Sequence, residues 1–128
     1  MEEKEFNLVE GDQPYQVHFK ALFVGDDLVI TLGGGEKPHV GAVAVSIPRP
    51  SLENESKTSS STSVFTMVGH KEDDLAKSLA GKISAELGKN VVLTTGVHVD
   101  NISLSGIEEI EGNCNRAVDK FLSFASKG

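Results

Sequence analysis

Asn90 to Val99 is apolar or β-branched at nearly every position until Gly96. A run with no polar alternation is buried on both faces, which makes it a central strand of a sheet. Such a strand needs helices to cover it, and both flanks supply them. Upstream, Leu75, Leu79, Ile83 and Leu87, with Ala76 and Ala80 beside them, form one apolar stripe at helical spacing. Asp73 and Asp74 suit the positive end of that helix, and Gly88 suits a left-handed C-terminal cap. Downstream, Ser105-Gly106-Ile107-Glu108 has the spacing of a capping box and opens a second helix. Its apolar face carries Ile107, Ile110, Cys114, Ala117, Phe121 and Phe124, and Gly112 weakens it by roughly 1 kcal/mol.

Four more strands precede the first helix. Tyr15 to Phe23 alternates, with Tyr15, Val17, Phe19 and Ala21 on one parity, and Leu28 to Leu32 is a short β-branched run. Gly25-Asp26-Asp27 between them has turn chemistry, so the two form a hairpin. Gly41 to Ile47 is a third strand, ending at Pro48. The stretch from about residue 48 to 63, rich in Ser, Pro and Glu, is too polar to bury and is expected to be a loop. Val64 to Val68 resumes the sheet. The expected fold class is α/β (α+β): one domain over residues 1–128, a mainly antiparallel sheet with two helices packed on it. Two helices on one face leave the other face to be covered, and a homodimer or higher homo-oligomer is one way, with a flat apolar remainder expected at Tyr15 to Phe23.

Charge narrows the function classes. A formal net charge of -7 opposes binding to the phosphate backbone of nucleic acid. The N-terminus is acidic where a signal peptide needs a positive start, and no run approaches the roughly 18 apolar residues of a membrane span, so the expected location is cytoplasmic. Cys114 is the only cysteine, and its helical spacing reads as core packing. No serine sits in a G-x-S-x-G elbow, and Gly33-Gly34-Gly35 lacks both the Lys-Ser/Thr pair of a P-loop and the G-x-G-x-x-G spacing.

Three histidines lie in glycine-punctuated segments at predicted strand ends: Gly33 to Gly41 with His39, Val68 to Asp74 with His70, and Thr95 to Asn101 with His98. Strand ends of an open sheet collect ligands, and neutral imidazole binds a metal or meets a phosphate. The triple glycine offers a backbone N–H nest for an anion. Gly69-His70-Lys71, at a strand-to-helix junction, aims free N–H groups and the Lys71 ammonium at a phosphate or carboxylate, with Glu72 as an acid, base or ligand. His98 and Asp100, two apart, share a strand face, as a ligand and its hydrogen-bonded partner do. Each segment also has a plain reading as a polar turn. His18, on the opposite parity from Tyr15, reads as a surface residue.

The run Gly34-Gly35 to Pro38-His39-Val40-Gly41-Ala42-Val43-Ala44, then Thr62-Ser63-Val64, Gly69-His70-Lys71-Glu72-Asp73 and Thr95-Gly96-Val97-His98-Val99-Asp100-Asn101-Ile102, resembles the prenylated-flavin chaperone family. These are small accessory proteins of gallate-type UbiD decarboxylases, and the resemblance covers about residues 14 to 124. It implies a fold like that of proteasome assembly chaperones and a non-enzymatic role. That role is to bind reduced prenylated FMN and assist its delivery to, or maturation in, a UbiD-type decarboxylase. It also implies a flavin site of Gly34, Gly35, His39, His70, Lys71, His98 and Asp100, with His39, His70 and His98 as ligands of a divalent Mn, Fe or Zn ion. The Ser-rich stretch Asn54 to Ser61 is longer than the family pattern. Two other functions compete: a metal-dependent hydrolase or lyase with a three-His site and Glu72 as base, and a protein-assembly chaperone without cofactor.

Overall fold

The computed structural model describes residues 4–67 and 73–126. Six strands and two helices follow in chain order: β1 (Lys4–Glu10), β2 (Val17–Val24), β3 (Asp27–Gly35), β4 (Ala42–Pro50), β5 (Thr58–Thr66), α1 (Asp73–Leu87), β6 (Val91–His98) and α2 (Leu104–Ser126). The six strands form one sheet in the order β1-β2-β3-β6-β4-β5, as the central reading of Asn90 to Val99 requires. Only β3 and β6 pair in parallel; the other four pairings are antiparallel.

Alternation decides which side chains enter the core. Val17, Phe19 and Ala21 on β2, Leu28, Ile30 and Leu32 on β3, and Val91 and Leu93 on β6 are fully buried against Leu79 and Ile83 of α1 and Val118 and Phe121 of α2. α1 packs on β4, β5 and β6, and α2 on β1 and β2. Burying each of these large apolar side chains contributes roughly 1.5–3 kcal/mol. Cys114 is among them, and burial pushes its thiol up to about 12, so it is packing and not a nucleophile.

Three local expectations are corrected, and one strand is added. The polar stretch at about 48–63 is not a loop: β4 runs to Pro50, a turn spans 51–57, and β5 starts at Thr58. Its hydroxyls do the work that apolar side chains do elsewhere. Ser46 Oγ and Thr62 Oγ1 share a 2.9 Å hydrogen bond, and Ser60 Oγ donates to the Gly81 carbonyl of α1 at 3.0 Å. β6 pairs with β4 only as far as Ser46, so Pro48 and Pro50 stand beyond that ladder, where a missing N–H is tolerated. The acidic N-terminus contributes an edge strand, β1, which turns Phe6 and Leu8 toward the core. The second helix is capped by Ser103 rather than Ser105: Gly106 N donates to Ser103 Oγ at 3.0 Å. The apolar remainder is not at β2, whose outward positions carry His18 and Lys20, but over β3, β6 and β4.

Candidate functional site

Insertion of β6 between β3 and β4 brings the chain's glycine-rich segments to one end of the sheet. In the parallel pair Gly35 lies opposite His98, so β3 and β6 finish together. Ala42 at the start of β4 pairs with Thr95 of β6 and with Thr66 at the end of β5. Residues 36–41 therefore cross over the end of β6, and the crossing is held by backbone hydrogen bonds. Glu36 N and Lys37 N donate to the His98 carbonyl at 2.7 and 3.3 Å, His39 N to Gly96 O at 3.2 Å, and Gly41 N to Thr95 O at 2.7 Å.

Glycine is required where the crossing is closest. A Cβ on Gly96 would overlap the His39 carbonyl, and one on Gly34 would overlap the carbonyl of Gln16. Gly35 has φ of 71°, and its N–H donates to Gln16 O at 2.9 Å. The expected N–H nest is thus not open at residues 35–37, whose amides are given to carbonyls of this chain. Gly34 and Gly35 instead let strands and crossing loop close on each other.

The crossing sets His39 beside His98, with ring centroids 6.5 Å apart and planes at 72°. His39 Nδ1 lies 3.0 Å from the Lys37 carbonyl oxygen, which only accepts, so the ring's proton is on Nδ1 and the lone pair of its neutral form on Nε2. His98 Nε2 lies 2.8 Å from Asp100 Oδ1. In its neutral form the proton is therefore on Nε2 and the lone pair on Nδ1. Asp100 stands past the end of β6, in the turn, and still meets His98 as its spacing suggests. The His98 N–H and, behind it, the Lys37 ammonium hold the Asp100 carboxyl below its ordinary range. Glu36, which sequence reasoning passed over, completes the arrangement: Asp100 N donates to Glu36 Oε1 at 2.8 Å. Residues 36 and 100 meet through strand register alone.

Beside His39 a groove of about 460 Å³ opens on the helix-free face, lined by His18, Thr31, Gly33, Pro38, Val40 and Thr94. His18 enters it because it pairs with Gly33, which sequence spacing does not show. His70, Lys71 and Glu72 lie outside the described residues. Among the described residues no group of three or more His, Cys, Asp and Glu is placed to hold a metal ion. A second cavity, of about 440 Å³, lies between the turn at 11–15 and α2. Several polar groups in and beside it bond one another: Arg116 bonds Asn113, Asn113 Nδ2 donates to Tyr15 O at 2.9 Å, and Lys120, next to the cavity, pairs with Glu10. That set staples the turn to the helix.

Comparison with known proteins bears on this end of the sheet. The family model for the prenylated flavin chaperone LpdD-like domain matches residues 11–126, which include every segment of the site. Protein LpdD of Lactiplantibacillus plantarum is 28% identical over 93 residues, 73% of this chain; the match spans 65% of that relative's length. Among solved structures, a chaperone complex for yeast 20S proteasome assembly has a chain that superposes with a TM-score of 0.61. The superposition covers 99% of this chain and 98% of that one, at 17% identity, a likeness of fold alone. No helix among the described residues is long and apolar enough to cross a membrane.

Proposed function

Because the chain belongs to the LpdD-like prenylated flavin chaperone family, an accessory chaperone family, we propose that it is non-enzymatic and binds reduced prenylated FMN at the His39–His98 end of the sheet. In this reading it assists the flavin's delivery to, or maturation in, a UbiD-type decarboxylase. The observation that carries the proposal is the pair of imidazoles, each with its N–H given to an acceptor of this chain, beside a groove on the helix-free face.

The residues suit such a ligand. A flavin mononucleotide offers a phosphate and a flat ring. The groove beside His39, floored by Gly33, Thr31 and Thr94, is open enough to take a planar group against strand backbone. Lys37 supplies the cationic side toward a phosphate, and His39 and His98 donate to it from their second ring nitrogens when doubly protonated. His70 and Lys71, outside the described residues, are proposed as further members of the site. Gly34 and Gly35 act by keeping the crossing loop close, and Asp100 by orienting His98. With the amides of residues 35–37 already donated, the phosphate is met by side chains and not by a glycine nest.

The finer form of the proposal includes a divalent ion, Mn, Fe or Zn, held by His39, His98 and His70. It is supported by the tautomers alone. Metal-bound histidines give their second N–H to a carboxylate or carbonyl, as His98 and His39 do. Such an ion would supply a positive charge toward a phosphate.

Anaerobic titration with reduced prenylated FMN tests the reading. Wild type is expected to bind saturably without turnover, and a His39→Ala/His98→Ala variant to lose binding while still melting cooperatively as a folded protein. Repeating the titration with EDTA and with Mn²⁺ reads the metal separately, and His70→Ala tests the segment outside the described residues. Absence of binding by wild type, with Mn²⁺ or Fe²⁺ present, overturns the assignment.

A further inference from the structure

The three consecutive glycines at the end of β3 differ in what a side chain would meet. A Cβ on Gly34 collides with the Gln16 carbonyl, and one on Gly35 with the His98 carbonyl. One on Gly33 reaches Gly96 O and Pro38 Cβ only at 3.4 Å, an ordinary contact, and Gly33 is not among the glycines with positive φ. The fold therefore accepts a side chain at position 33. A glycine inside a strand gives up backbone entropy and packs nothing, so the fold gains nothing from it there. What the missing side chain provides is space, because Gly33 lines the groove beside His39.

Three polar side chains surround that space. His18 pairs with Gly33 from β2, and Thr31, two residues before Gly33, lies opposite Thr94 of β6. Strand spacing puts Thr31 about 4.8 Å from Thr94, and His18 lies diagonally from Thr31 at about 7–8 Å. Among the described residues none of these three side chains has a hydrogen-bond partner, whereas His39 and His98 each have one. Pro38 and Val40 of the crossing loop add an apolar side to the same groove, with Val40 52% exposed.

We propose that this groove reads a flavin ring by its edges, with Gly33 under the ring face and His18, Thr31 and Thr94 as its polar contacts. The inference rests on the flavin reading above and adds residues to it. A flavin ring has one edge made of two carbonyls flanking an N–H, and an opposite edge of hydrocarbon. Hydroxyl and imidazole groups both donate and accept, so His18, Thr31 and Thr94 can serve the carbonyls and the N–H alike. The hydrocarbon edge meets Pro38 and Val40. Gly33 is thus the glycine of the three that touches the ligand, while Gly34 and Gly35 serve the fold.

Anaerobic titration of the full chain with reduced prenylated FMN, read by absorption of the ring, tests the inference. In Gly33→Val the side-chain methyls have only the groove to enter, because Pro38 and Gly96 O close the other side. That variant is expected to melt no lower than wild type and to bind on the order of tenfold more weakly or worse. His18→Ala and Thr31→Val, at exposed positions, are each expected to weaken binding about three- to tenfold and to shift the absorption band of the bound ring. Thr31→Ser, which keeps the hydroxyl, should bind nearly as wild type does. Val29→Thr, on the same face of β3 but outside the groove, should bind as wild type. Binding that is lost in His39→Ala/His98→Ala but unchanged in Gly33→Val, His18→Ala and Thr31→Val overturns this inference and leaves the proposed function standing. Absence of binding by wild type overturns both.

Discussion

Gly96 controls the distance between the two imidazoles, because the crossing loop rests directly on its Cα. Gly96→Ala places a methyl group into the His39 carbonyl, which is backbone and cannot rotate away. Overpacking of this kind costs about 1–3 kcal/mol, and the strain falls on residues 36–41. Urea denaturation should show that loss, and reduced prenylated FMN should bind more weakly than the stability change alone explains. Asp100 gives a second residue-scale prediction, with a pH sign. Its carboxyl is held below 3.8, first by the His98 N–H and then by Lys37. A depressed acid adds stability above its ordinary value and loses it as pH falls through the lowered folded value. The His98–Asp100 contact should therefore persist to below pH 3.8. A carboxyl-carbon NMR titration should give Asp100 a midpoint under 3.8 that rises in His98→Ala and, by less, in Lys37→Ala. The His98–Asp100 pairing was legible in the sequence because the partners are two apart. Glu36 was not, because its bond to Asp100 N exists only once β3 and β6 are in register.

Elements with strong periodicity were legible, and those whose role depends on neighbours were not. α1 runs from Asp73 to Leu87 with Gly88 at φ of 65° behind it, as its apolar stripe and cap residues imply. The first half of β5, residues 58–63, escaped detection because its inward positions are Ser and Thr, satisfied by hydroxyl partners on β4 and α1, whereas the strand was legible from Val64 on. The start of α2 was misplaced by two residues because Ser103 and Ser105 both fit a cap pattern. The geometry separates them: Ser103 Oγ accepts from the N–H three residues on, while Ser105 already stands inside the helix. Ser103→Ala should cost about 1 kcal/mol in thermal or urea unfolding, and Ser105→Ala well under half of that. Within the same helix, Cys114 should resist a thiol reagent in the native protein and react fully in denaturant. Its thiol is buried and pushed up to about 12, so the thiolate is scarce at neutral pH.

At the scale of the whole molecule, what the sequence did not show is strand order. Periodicity finds strands and helices, but nothing local states that the last strand enters between the third and fourth. That insertion brings His39 to His98 from positions 59 residues apart and leaves the tight turns at 25–26 and 51–57 at the far end of the sheet. The His39 and His98 segments are brought together by topology, so ligand binding there should be linked to the fold as a unit. A ligand that binds only the native state stabilises it by about 2.7 kcal/mol at a hundredfold excess over its dissociation constant. For a domain of 128 residues this corresponds to a rise in melting temperature on the order of 10 °C. Anaerobic melting with reduced prenylated FMN should show that rise in wild type and none in His39→Ala/His98→Ala. Ser103→Ala should melt lower without ligand yet gain nearly the full rise, because its helix cap lies off the groove. A similar rise in the double-histidine variant would place the ligand elsewhere on the molecule.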